Sequence, residues 1–337
     1  SMRPCSQNRG GEIVTKELQH RTVSANDIRF HVAEQGEGPL VLLCHGWPEG
    51  WYSWRHLLPA VAAAGFRAVA PDMRGYGQSE APPEVVDYSI LHLVGDMVGL
   101  VAALGYKQAV IIGHDWGANV AWSAAMLRPD VFPAVAAMSV PFRQRGPAPP
   151  FRLLRQAGLH TFYWLYFLDV GVAEAEFERD PKATIRRLLY TGSGDAPKER
   201  GLGLVLQQGK GMLDNTVDTD RLPPWLTEAD LEHMAGEFRR SGFRGGLNWY
   251  RNIDRNWELL APWAGAVIRQ PALFIAGRED GVIKGVMGKA ALEQMPQTVP
   301  GLERLLLIDG AGHWIQQERP KEVTAVVLEF LAGYRLG

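Results

Sequence analysis

The chain has 337 residues, 46% hydrophobic and 21% charged, with a formal net charge of −2 at pH 7. That length allows one large domain or a core carrying an insertion, with apolar residues enough for a sizeable interior. The near-neutral charge excludes a sequence-blind nucleic-acid binder, which needs a basic surplus, and no apolar run approaches the ~18 residues of a membrane span.

Residues 1–15 are polar and glycine-bearing and are expected to form a flexible N-terminus. They lack the apolar core of a secretory leader. Residues 17–23 and 28–33, parted by the turn-forming Asn26-Asp27, predict an antiparallel hairpin. Residues 39–44 are a short apolar run of the kind found in fully buried strands. Cys44 at its end is expected to be a buried, unreactive thiol. Cys5 is the only other cysteine, so a disulfide scaffold is excluded and a reducing cytoplasm is the expected compartment.

Residues 67–70 predict the next strand. Ile90, Leu93, Val94, Met97, Val101 and Leu104 then recur at helical spacing, with Asp87 or Ser89 placed to cap the helix. Residues 108–112 and 135–139 predict two more strands. Strands alternating with helices imply an α/β fold with a doubly wound, mostly parallel sheet. From 141 to 263 the alternation stops, and the chain becomes rich in aromatic, Arg and Gly residues with helix-like segments. Strand patterns resume at 271–277 and 305–308. A last helix at 320–331 places Val323, Val326, Val327 and Phe330 on one face. The expected organisation is a core of residues 16–140 and 264–337 with an inserted, mainly helical cap, 141–263. The cap would lie over the sheet's carboxyl edge, where open α/β sheets bind ligands.

Chemistry enters at Gly113-His114-Asp115-Trp116-Gly117. A strand leads in, a helix leads out, and the flanking glycines let the chain turn sharply with its central side chain exposed. This is the nucleophile elbow of the α/β-hydrolase fold. Its central residue here is an aspartate, ionised at neutral pH without help from a base and suited to displacement at saturated carbon. The fold orders its groups as nucleophile, acid, histidine. Asp115 is the first, Gly277-Arg278-Glu279-Asp280-Gly281 supplies the acid, and Gly310-Ala311-Gly312-His313-Trp314 supplies the histidine. Asp280, at the loop tip, is preferred over its neighbour Glu279. An acid one strand earlier is ruled out, because Met138-Ser139-Val140-Pro141 carries no carboxylate. Backbone N–H groups of Trp47 and Trp116 are the candidate oxyanion donors. A cis Trp47-Pro48 bond would bend that loop over the site. His114 is assigned to packing or hydrogen bonding, and His45 to organising its own loop.

The sequence resembles the α/β-hydrolase-fold epoxide hydrolases of the soluble type, from about residue 16 to the C-terminus. The resemblance rests on His45-Gly46-Trp47-Pro48-Glu49, Asp72-Met73-Arg74-Gly75-Tyr76-Gly77-Gln78-Ser79, the Asp115 elbow and Gly312-His313-Trp314. Haloalkane dehalogenases share these with small changes, so the inserted segment decides. Phe162-Tyr163-Trp164-Leu165-Tyr166-Phe167 and Ser241-Gly242-Phe243-Arg244-Gly245-Gly246-Leu247-Asn248-Trp249-Tyr250 are similar to the two epoxide hydrolase segments that carry ring-opening tyrosines. The resemblance implies Tyr163 and Tyr250 as that pair, with Trp116 beside them against substrate. Tyr166 is the rival to Tyr163, and plain aromatic packing is the competing account of both.

It further implies conversion of an epoxide and water to a vicinal diol through an ester on Asp115, with no metal or other cofactor. Protonated phenols suit an alkoxide leaving group, which must be protonated as it forms; a halide need not be. A haloalkane dehalogenase and a ligand-binding protein without turnover are the alternatives. The natural epoxide, its stereochemistry and the oligomeric state are not encoded in these motifs.

Overall fold

The computed structural model describes residues 17–197 and 203–334; the expected flexible stretch 1–15 and Cys5 lie outside them. Asn26 and Asp27 both adopt positive φ, 49° and 59°, the geometry whose twist matches a two-residue hairpin. They join β1 (Gln19–Ala25) to β2 (Ile28–Gln35). Then follow β3 (Leu40–Cys44), α1 (Leu57–Ala63), β4 (Arg67–Pro71), α2 (Ile90–Ala103), β5 (Val110–His114), α3 (Trp116–Leu127) and β6 (Ala134–Met138). With β7 (Ala272–Gly277) and β8 (Leu302–Ile308) further along the chain, the eight strands form one sheet in the order β1-β2-β4-β3-β5-β6-β7-β8, in which β3 to β8 pair in parallel.

Burial explains the strand sequences. Every residue of β3, β5 and β6 is buried, as a sheet covered on both faces requires. One face packs beneath α2 and α3, through Leu42, Ile111, Val135, Leu93 and Val120. The other, with Val41, Ile112 and Ala136, packs against α1 and the C-terminal helix through Val61, Val323 and Val327. Such side chains each contribute roughly 1.5–3 kcal/mol on full burial.

Between β6 and β7 the chain makes α4 (Pro150–Gln156), α5 (Tyr163–Tyr166), α6 (Val172–Phe177), α7 (Pro181–Gly192), α8 (Glu228–Ser241), α9 (Arg244–Arg251) and α10 (Ile253–Leu259). The only described β pairing there is an isolated bridge, Phe162 to Val205. The core then resumes with β7 (Ala272–Gly277), α11 (Gly281–Lys284), α12 (Val286–Thr298), β8 (Leu302–Ile308), α13 (Ile315–Glu318) and α14 (Pro320–Ala332).

Two details differ from the sequence expectations. Ser89 occupies the N-cap position of α2, but its hydroxyl pairs with His92 Nδ1 at 2.8 Å instead of capping the helix. The strand anticipated at 305–308 begins at Leu302 and lies at the sheet edge, half exposed. Helix α12 carries Pro296 inside its last turns, a residue that breaks the helical pattern when read in sequence. Cys44 is a free, buried cysteine, as expected. No described helix is long and apolar enough to cross a membrane.

Candidate active site

Asp115 stands between β5 and α3 with φ 53° and ψ −119°, a strained conformation for a side-chain-bearing residue, worth roughly 1–3 kcal/mol. The neighbouring chain leaves no freedom to relax. A Cβ on Gly117 would overlap the carbonyl oxygen of Cys44, and one on Gly46 would overlap the Asp115 side chain. Strand β3, its following loop and the elbow therefore touch backbone to backbone. That contact carries the Trp47 N–H to Asp115 Oδ1, 2.9 Å away. Trp47-Pro48 is cis. Trp116 opens α3, where a backbone N–H has no intrahelical partner.

The loops after β7 and β8 bring the other two groups. Asp280 Oδ2 lies 2.8 Å from His313 Nδ1, and His313 Nε2 lies 3.2 Å from Asp115 Oδ2. Asp280 is wholly buried, and its other oxygen accepts the Val282 N–H at 2.8 Å. The rival acid, Glu279, pairs instead with Lys284 Nζ at 3.0 Å.

Burial alone would push the Asp115 carboxyl up, but the His313 hydrogen bond and charge, His114 and the Trp47 N–H together hold it below its ordinary value. Burial alone would likewise pull His313 down. The carboxylates of Asp280 and Asp115 on its two nitrogens overcome that and raise it well above the usual histidine range. The two shifts favour an ionised Asp115 carboxylate beside a protonated imidazole.

The support behind the triad is polar and buried. His114, adjacent to the nucleophile, turns away from the site: its Nδ1 lies 2.7 Å from Glu49 Oε2 and its Nε2 2.7 Å from the His313 carbonyl oxygen. Glu49 also accepts from the Gly46 N–H and from the side-chain amides of Gln316 and Gln317. Burial raises the Glu49 carboxyl, yet His114 outweighs it and the net shift is downward. Ser139, at φ 65°, donates its hydroxyl to the same His313 carbonyl at 2.7 Å. Glu318 accepts the N–H groups of Gly194, Gly312 and Trp314 at 2.8–2.9 Å, clamping the histidine loop. His45 Nδ1 lies 2.9 Å from the Gly46 carbonyl oxygen of its own loop, and its Nε2 accepts the Met73 N–H at 2.9 Å, joining that loop to the one after β4.

Sequence reasoning assigned no role to Glu49, Ser139 or Glu318. The one available signal was a charged residue, Glu49, in an otherwise apolar loop. The other two carry none without the fold.

Tyr163 opens α5 and Tyr250 lies in α9, 87 residues later, yet their ring centroids are 5.8 Å apart in an edge-on arrangement. Tyr250 also meets Trp116 at 5.2 Å, Phe167 at 4.9 Å and Trp47 at 5.8 Å. Burial raises both phenols well above their ordinary value, and the negative charge of Asp115 adds to it. Both therefore stay protonated at neutral pH. Tyr166, the rival to Tyr163, donates its hydroxyl to Glu176 Oε2 at 2.8 Å and lines a separate cavity of about 490 Å³ among the inserted helices.

Two further aromatic residues of the inserted segment are buried beside these rings. Trp249 is fully buried with its indole N–H on the Arg74 carbonyl oxygen, and Phe167 is buried against Trp47 and Tyr250. No group of three or more His, Cys, Asp or Glu side chains among the described residues is arranged to hold a metal ion.

An elbow carboxylate, a histidine and a buried acid on three parallel-strand ends define a protein of the α/β-hydrolase fold, and the model of the family described by that name matches residues 39–320. Epoxide hydrolase A of Mycobacterium tuberculosis is 46% identical over 319 residues, covering 94% of this chain and 98% of that protein. Epoxide hydrolase 2 of Siraitia grosvenorii is 41% identical, covering 95% and 100%. The solved structure of an epoxide hydrolase from an endophytic Streptomyces superposes with a TM-score of 0.90 at 47% identity, covering 94% of this chain and 96% of that one. The chain belongs to the α/β-hydrolase-fold epoxide hydrolases.

Proposed function

We propose that this chain opens epoxides to vicinal diols through a covalent ester on Asp115, in a site roofed by a cap of residues 141–263. The observation that carries the reading is the division of the Asp115 carboxylate: Trp47 N–H on Oδ1 and His313 Nε2 beside Oδ2, with the Tyr163–Tyr250 pair nearby.

In the first step Oδ2 attacks an epoxide carbon. The ring C–O bond breaks, and its electron pair goes to the ring oxygen, which takes a proton from one of the two tyrosines. Oδ1 stays on the Trp47 N–H and becomes the ester carbonyl oxygen. Esterification removes one of the two negative charges beside His313, so its affinity for a proton falls. The imidazole then gives up that proton, which returns the tyrosinate to its phenol, and becomes a base. In the second step His313, oriented by Asp280, takes a proton from water, whose oxygen adds to the ester carbonyl carbon. The N–H groups of Trp47 and Trp116 stabilise the oxyanion, a contribution of roughly 3–4 kcal/mol per donor. On collapse the C–O bond from the carbonyl carbon to the substrate breaks, the departing oxygen takes the proton of the added hydroxyl, and the diol leaves Asp115 as its carboxylate with His313 protonated again.

A paired-phenol site favours this over a haloalkane dehalogenase, whose halide leaves without a proton. A full triad favours it over a ligand-binding protein without turnover. The partners on this reading are a small epoxide and water, and sparse cysteine usage supports a cytoplasmic location. The test is a single turnover in heavy-oxygen water. Label recovered in the Asp115 peptide supports the ester; label passing only into the diol overturns it.

A further inference from the structure

His313 lies on the loop between β8 and α13, and its backbone is gripped from two sides. The core holds its carbonyl oxygen, through His114 Nε2 and the Ser139 hydroxyl at 2.7 Å each. The inserted segment holds its N–H, which donates to the Gly192 carbonyl at the end of α7 at 2.7 Å. One residue further on, the Trp314 indole N–H donates to the Leu189 carbonyl at 2.7 Å. A helix ends in four carbonyls that find no partner within it. In α7 two of these are filled by the histidine and by the residue that follows it.

Glu318 closes the same junction. Its Oε2 accepts the Gly312 N–H of the histidine loop at 2.8 Å and the Gly194 N–H just beyond α7 at 2.9 Å, while Oε1 accepts the Trp314 N–H at 2.9 Å. The two backbones touch directly. A Cβ on Gly312 would overlap the Gly192 carbonyl oxygen, and one on Gly194 would overlap the Gly310 carbonyl oxygen. The carboxylate is buried and both its oxygens are in use. An amide in its place would turn an NH2 donor towards one of the three N–H groups.

We propose that Glu318 is a positioning residue for His313, locking the histidine loop to α7, and that this lock serves hydrolysis of the ester and not its formation. The proposal rests on the epoxide-opening reading above. Its division of labour follows from what the lock touches. Ester formation uses the Asp115 carboxylate, held at the elbow by the Trp47 N–H, and the phenols carried by α5 and α9. Glu318 bonds to none of these. Hydrolysis requires the imidazole to stay on Asp280, 2.8 Å away, while facing a water at the ester carbonyl. A loop displaced by about 1 Å can cost such a step roughly 100-fold.

The test follows the two steps separately in Glu318→Gln, with alkylation by a saturating reactive epoxide and decay of the ester both read by intact mass. Ester decay is expected to slow by about tenfold or more while alkylation stays within about threefold of the wild type, so the esterified fraction during turnover rises. Both are rate constants of the chains that react, so neither depends on how much of a variant folds. Trp314→Phe is the second variant and carries the test alone if Glu318→Gln does not fold. It leaves Glu318 in place, removes the N–H that reaches Leu189 and keeps an aromatic ring beside His313; the same selective slowing of ester decay is expected. Equal slowing of both steps would make Glu318 a brace of the fold only and overturns the proposal. Ester decay at the wild-type rate in either variant also overturns it, and leaves the epoxide-opening reading standing. No ester on any chain, His313→Gln included, removes both.

Discussion

On the proposed mechanism each residue of the site performs one act, so each variant has its own signature. His313→Gln leaves Asp115 and the tyrosines in place but removes the base. Mixing it with a reactive epoxide is expected to raise the intact mass by one substrate per chain, with negligible diol; an unmodified mass would refute the ester. Replacing Tyr163 and Tyr250 together by Phe removes both acids, and single-turnover alkylation is expected to fall by roughly 10²–10⁴. Unchanged alkylation would leave the pair as packing. The pH dependence of alkylation follows from the same environment. Asp115 is held below its ordinary value and both phenols well above theirs, so the alkylation rate is expected to stay level from about pH 5 to pH 10. A fall centred near pH 7 would mean that another group limits the step.

At the scale of elements, the motifs that resemble the family do more bracing than chemistry. Buried Asp72 accepts the Trp51 N–H at 3.0 Å and the Gln78 N–H at 3.1 Å and meets His31 Nδ1 at 2.7 Å. Arg74 forms a buried two-pronged pair with Asp96 at 2.8 and 2.6 Å, fixing the loop after β4 to α2. Arg74→Ala leaves Asp96 buried without its cation and is expected to cost about 3–5 kcal/mol, measured by urea unfolding. A loss below about 1 kcal/mol would show the pair to be dispensable. Inserted helices are tied to the core in the same way, through Arg55 to Asp230 at 3.2 Å and Tyr52 to Asp230 at 2.9 Å.

For the whole molecule, these buried ionised groups set a pH window of stability. The carboxyls of Glu49, Asp72 and Asp115 all lie below their ordinary values once folded. Their contribution is complete above an unfolded value of about 4 and is lost as pH falls through the folded values. His313 has the opposite sign. Raised by Asp280 and Asp115 against the effect of burial, it contributes fully below about pH 6.5 and loses that contribution as pH rises through its folded value. The melting temperature is expected to peak between these limits and to drop steeply below pH 4. The alkaline decline should be shallower in His313→Gln than in the wild type. A variant as steep as the wild type would remove the histidine from this account.

Much of this was legible from residue order. Glycine spacing around Asp115 reports a corner where backbone meets backbone. The apolar runs report strands buried on both faces, because those patterns are local consequences of sterics and burial. Chain order also pointed to Asp115, His313 and the two acids after β7, and the fold brings Asp115, His313 and Asp280 within hydrogen-bonding reach. Strand boundaries shifted by only a few residues, and β8 was misjudged in length because an edge strand need not be uniformly apolar. What residue order could not contain is which distant groups share a hydrogen bond. The choice of Asp280 over Glu279, the pairing of Tyr163 rather than Tyr166 with Tyr250, and the hidden braces Glu49, Ser139 and Glu318 depend on side-chain direction at distances of 2.5–6 Å. Only the folded packing of loops from separate strands decides those directions, because a one-residue change along a loop turns a carboxylate from the imidazole to the solvent.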